Sequence, residues 1–98
     1  MVDGRWGLTI NTPIGQKFLD LDLKVSENEV YGTLTGDTNN GVQITDGKVD
    51  GDKVTYSAFL NTPVGSTNTT TTLRLSDDTM SGTISTLYGV FEVNGVKK

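Results

Sequence analysis

The chain contains no cysteine and no histidine among its 98 residues. The first absence excludes a disulfide framework, a thiolate metal site and a cysteine nucleophile. The second removes the side chain most used as a general base. Helix formers are scarce, with Ala58 the single alanine. No apolar run approaches the length needed to span a bilayer, and the opening MVDGRWG lacks the apolar stretch of a secretory leader. The expectation is therefore a cytoplasmic chain without a membrane partner. Eight basic residues stand against twelve acidic ones, a net charge of −4. That balance disfavours nucleic acid and anionic lipid, which both require a basic footprint.

What is abundant points to strands. Sixteen threonines and ten valines favour extended backbone, and twelve glycines with two prolines punctuate the apolar stretches as turn residues do. The length suits one domain, 1–98, with a single core. Within it NTPIG at 11–15 returns as NTPVG at 61–65, and the fifty-residue offset pairs Leu23 with Leu73, Ser26 with Ser76, Gly32 with Gly82 and Thr33 with Thr83. Self-similarity at such a period suggests two copies of one unit, about 5–50 and 53–98.

Each copy reads as four strands. RWGLTIN alternates Trp6, Leu8 and Ile10 on one face, and KFLDLDLKV alternates Leu19, Leu21, Leu23 and Val25. EVYGTLT and GVQITDGKV follow. The second copy answers with KVTYSAFLN, NTTTTLRLS, TMSGTIS and YGVFEVNGVK. Period-two alternation in short runs between turn residues marks sheets with one wet face. The simplest assembly is all-β, an eight-stranded antiparallel up-and-down meander barrel with a 4+4 pseudo-repeat. A two-sheet sandwich split at VDGDK (49–53) is the alternative. The last strand has an ambiguous phase, which a bulge near Asn94-Gly95, with its mate at Asp46-Gly47, would resolve.

In this alignment Thr69 and Thr71 fall where the first copy has Leu19 and Leu21. The pattern turns them inward, where hydroxyls need partners. With Ala58 on one side and Gly82 on the other, the expectation is a hollow, with Tyr56 and Met80 at its rim, for a small apolar molecule. Filling it by Thr71→Leu would then stabilise the protein. The competing reading has both threonines bonding neighbouring backbone, with no cavity.

The stretch DGRWG resembles the G-x-W signature of the calycin superfamily of lipocalins, fatty-acid-binding proteins and avidins, with Gly4 and Trp6 at the signature positions. The resemblance implies a meander barrel in which Trp6 closes one end and a cation from the last strand, Lys97 or Lys98, lies across it. The segments WGLTINTPIG, YGTLTG, DGKVDGD and NTPVG also resemble a group of small bacterial β-domains, which implies the same fold and no particular activity.

Chemistry-bearing constellations are sparse. Asp20 and Asp22 stand two apart on one face of a strand, roughly 6–7 Å along it, a spacing glycosidases can use, but that face points to water. DTNNG (37–41) and DGKVDGD (46–52) hint at calcium loops but lack the glycine and glutamate spacing of an EF-hand, and Asp or Asn before Gly is ordinary hairpin chemistry. No cofactor and no metal is expected. The leading reading is a non-catalytic structural or assembly module; a small apolar-ligand-binding protein and an enzyme without a recognisable motif are the alternatives. Phe18, Tyr31 and Phe59 fall on the outward phase of their strands, which predicts a homodimer.

Overall fold

The alternation in KFLDLDLKV becomes a strand whose leucines Leu19, Leu21 and Leu23 are buried while Asp20 and Lys24 remain in water. The same logic runs through the whole computed structural model, which describes residues 3–13, 15–36, 39–62 and 65–98, with Thr62 by its main chain alone. Among the described residues every regular element is a strand: β1 (Gly4–Thr12), β2 (Gly15–Ser26), β3 (Glu29–Gly36), β4 (Asn39–Gln43), β5 (Thr45–Asp50), β6 (Lys53–Thr62), β7 (Gly65–Ser76), β8 (Thr79–Thr86) and β9 (Gly89–Lys97).

Consecutive strands pair antiparallel except β4 and β5, which both pair with β3, and β1 pairs with β9 from Trp6↔Lys97 to Asn11↔Glu92. That last ladder closes an eight-strand up-and-down barrel, with β4 as an additional short strand beside β3. The sandwich is excluded, because β5 and β6 pair straight across 49–53, from Val49↔Val54 to Asp50↔Lys53. Closure leaves the main barrel without exposed sheet edges, the feature that protects small β-proteins from edge-to-edge association.

Elements recur at the fifty-residue offset. β2 and β7 both span twelve residues and β3 and β8 both span eight, each pair starting fifty apart. The turn residues Glu27 and Asp77 share a left-handed backbone, with φ of 58° and 55°. At Gly32 and Gly82 the inner surface coils so tightly that a Cβ would sit 1.9 Å from the Asp22 carbonyl oxygen and 1.8 Å from that of Thr72. Only glycine fits such an approach of neighbouring backbones.

The fourth and last strands depart from expectation in opposite ways. The β8–β9 ladder runs unbroken from Thr79↔Val96 to Thr86↔Gly89, with Val93 and Gly95 buried, so Asn94-Gly95 carries no bulge. Gly95 resolves the phase: a Cβ there would approach Leu8 Cδ2 to 2.8 Å, so the last strand needs no further apolar side chain at that point. The fourth run instead breaks into β4 and β5 around Ile44, and its register against β6 shifts between Thr45 and Lys48. Asp46 at that shift has φ of 52°, so of the two expected bulges the one at Asp46-Gly47 is present.

Beyond the end of the β5–β6 ladder at Thr45↔Ser57, a side chain joins β4 to β6. Buried Asn39 donates its Nδ2 to the Asn61 carbonyl at 3.1 Å and accepts from the Asn61 N–H at 2.8 Å. A carboxamide thereby reproduces the paired exchange of a strand and satisfies a backbone that would otherwise be stranded.

Strand direction sorts the connections. The strand ends at Thr12 and Gly15, Gly36 and Asn39, Thr62 and Gly65, and Thr86 and Gly89 gather at one end of the barrel. Those at 26–29, 50–53 and 76–79 gather at the other, with the start of β1 and the end of β9.

Candidate functional site

Inside the barrel, pairing decides which expected site residues meet. Thr69 is opposite Ala58, and Thr71 is opposite Tyr56 on one side and Ile84 on the other. Gly82 is opposite Leu73 instead, and Met80 is opposite Leu75 and Gly95, towards the end where the termini lie. The six residues therefore occupy several levels of the lumen and do not ring one hollow. At Gly82 the space expected to be open is taken by the carbonyl of Thr72.

The inward threonines each have a local partner. Thr67 Oγ1 donates to the Asn68 carbonyl at 3.1 Å and accepts from the Leu87 N–H at 3.1 Å, which ties the 86–89 connection to β7. Thr69 Oγ1 donates to the Ala58 carbonyl at 2.8 Å. Thr71 shares a side-chain hydrogen bond with Tyr56. Among the described residues no buried side-chain nitrogen or oxygen lacks a partner. The threonine run thus supplies polar cross-links on the wall where the first copy has leucines.

Tyr56 is buried, and burial pushes its phenol far above the ordinary value, an effect the Thr71 bond only partly offsets. Above about pH 10 the unfolded chain releases this proton while the folded barrel holds it, so the folded state binds more protons and stability falls as pH rises. The expected slope is about 1.4 kcal/mol per pH unit above roughly pH 11. Urea unfolding between about pH 9 and pH 12 should show it, and Tyr56→Phe should remove that component. An unchanged slope in the variant would contradict the assignment.

At the end that holds the termini, Trp6 is fully buried and Lys97 Nζ lies 5.5 Å from its ring centroid. Gly4 explains how the lysine gets there. A Cβ at Gly4 would stand 3.2 Å from Lys97 Cε, so its absence leaves the path for the stem across the indole. Stem and ammonium together cover the ring by packing and by cation–π attraction. Lys98 turns outward to Asp20, and Arg5 reaches Asp22 at 3.6 Å. The two carboxylates considered for glycoside chemistry are thus exposed, ion-paired surface groups. Asp37 and Thr38 of the DTNNG stretch lie outside the described residues.

The exposed apolar side chains sort by end. Phe18, Phe59 and Val90 (63%, 57% and 63% exposed) lie towards the 12–15 end, with Leu87 and Tyr88 in its last connection. Tyr31 and Val96 lie towards the other. Charge sorts inversely. Of the nineteen charged residues among the described ones, the described parts of 9–18, 33–43, 58–69 and 83–92 that build the first end contain two, Lys17 and Glu92. Charge patterning could have revealed this grouping, but only once the strand directions were known. Compared with family models, with curated proteins and with solved structures, the chain has no match.

Proposed function

We propose that the protein is a non-catalytic assembly module, a filled barrel that associates with a second copy through its uncharged end. The segregation of charge carries this reading. Two copies with a net charge of −4 each repel, and the face on which they meet at least electrostatic cost is the one that has, among the described residues, two of the nineteen charges and five of the seven exposed large apolar side chains. Apolar residues gathered on one face of a small domain favour an interface over solvent exposure. The lumen offers less support for ligand or catalytic readings, since its hydroxyls are bonded to their own wall. The Trp6–Lys97 contact, with Gly4 beside it, supports the calycin-like reading of the fold. The recurrence of β2 and β3 as β7 and β8 supports duplication of one unit.

Light scattering at concentrations on the order of tens of micromolar should give a mass near twice 10.5 kDa. Phe18→Lys with Leu87→Lys should return the monomer mass with the fold retained, because both side chains are exposed, and should remove the concentration dependence of the melting temperature. A monomeric wild type, or a dimer indifferent to these charges, would overturn the reading.

A further inference from the structure

Between β3 and β5 the barrel ladder is irregular. Cα pairing there is limited to Glu29↔Lys48, and the irregular stretch is bracketed by two main-chain bonds, Ile44 N to Gly32 O at 3.0 Å and Val49 N to Asn28 O at 2.9 Å. From Thr33↔Gln43 to Glu29↔Lys48, four steps along β3 span five along the opposite chain. The extra residue bows the chain outward at Asp46, whose backbone is left-handed, while Gly47 dips against the Val30 carbonyl, 2.1 Å from where a Cβ would be. The result is a cleft of about 360 Å³. Its floor is the buried pair Val30 and Ile44, and its walls are Glu29, Tyr31, Thr45, Asp46 and Lys48.

The molecule contains its own control. Fifty residues on from Glu29 and Tyr31 stand Thr79 and Ser81, facing Val96 and Asn94 in an unbroken ladder. The same place in the second half has neither bulge nor aromatic ring. Bulge and ring occur together in the first half alone, as a built site requires.

We infer that this cleft binds one pyranose unit of a neutral saccharide. The lining decides the class. A cation would meet Lys48, and an anion would meet Glu29 and Asp46. A ligand with several hydroxyls engages both: carboxylates accept, the ammonium donates, and Thr45 does either. Tyr31 supplies a flat apolar face for a sugar's C–H side, and its hydroxyl donates to Glu29 Oε2 at 2.6 Å, so the ring is held before any ligand arrives. The volume is at the lower end of the roughly 300–1,000 Å³ of small-molecule sites. The cleft lies at the charged end of the barrel, away from the proposed dimer face, so neither proposal depends on the other.

The test is a two-dimensional amide NMR titration of the intact chain with methyl glycosides of glucose, galactose, mannose and N-acetylglucosamine, up to about 50 mM, since an exposed one-ring site binds in the millimolar range. At least one glycoside should give saturable shifts confined to residues 29–32 and 44–48, with the counterpart residues 79–82 and 94–96 silent. Tyr31→Ala should weaken binding at least about fivefold through loss of stacking, while Tyr31→Phe should stay within about threefold. The unperturbed remainder of the spectrum reports that each variant is folded. Silence towards all four glycosides, or indifference to Tyr31→Ala, would overturn the proposal. Equal shifts with ethylguanidinium would overturn it in favour of a cation site.

Discussion

Gly82→Ala is expected to cost this barrel on the order of 3–5 kcal/mol, the range reserved for substitutions with a specific steric cause. The added Cβ would stand 1.8 Å from the Thr72 carbonyl oxygen, 2.8 Å from its carbon and 3.0 Å from Leu73 Cα. All three are main-chain atoms of β7, so no side chain can turn aside to admit the methyl group. Relief requires the β7–β8 ladder to part between Thr72↔Thr83 and Leu73↔Gly82, at the centre of the second half. Gly32→Ala should behave alike, with the Asp22 carbonyl at 1.9 Å. Gly15→Ala separates this effect from backbone preference. Gly15 has φ of 116° with nothing within 4 Å of a Cβ, so its cost is conformational, about 1 kcal/mol. Urea unfolding of the three variants measures the difference, and a Gly82→Ala loss below that of Gly15→Ala would refute the steric account.

These glycines show which parts of the fold were legible in the sequence. Alternation is visible wherever one face of a strand is wet, so Leu19, Leu21 and Leu23 announced β2, and Trp6, Leu8 and Ile10 announced β1. The strand count favoured closure without deciding it, because eight short antiparallel strands can fill a small barrel with side chains or split into two sheets, and the β1–β9 ladder decides for the barrel. Register was less accessible. Which residue faces Thr71 depends on how many residues each connection uses, and the pairing with Ile84 in place of Gly82 moved the expected hollow out of existence at that point. Bulges are harder still, since Asp46-Gly47 and Asn94-Gly95 look equivalent as dipeptides. The first is a bulge and the second a regular rung, because Gly47 must pass the Val30 carbonyl while Gly95 faces Leu8 and Met80 in the core. The cleft beside Tyr31 depends wholly on that one-residue difference. An outward aromatic on an even ladder would have been a surface residue and nothing more.

The fate of Thr71 gives the second large expectation, and it reverses the one drawn from the sequence. Were Thr71 beside a hollow, Thr71→Leu would stabilise the protein by about 0.5–2 kcal/mol. Its actual neighbours are Tyr56 and Ile84, and its hydroxyl is the side-chain partner of the buried Tyr56 phenol. Leucine would strand that phenol in the core, at about 1–3 kcal/mol. It would also press a larger side chain between two full-sized ones, for about 1–3 kcal/mol more. The expected change is thus a loss of roughly 2–5 kcal/mol in urea unfolding. Thr71→Val isolates the first part, since it keeps the shape and removes the hydroxyl. Combining it with Tyr56→Phe should restore much of the loss, because removing both partners leaves no polar group unsatisfied. If Thr71→Leu were instead to raise the urea midpoint, the hydroxyl pair would not be what holds this level of the barrel, and the hollow would return as the better description.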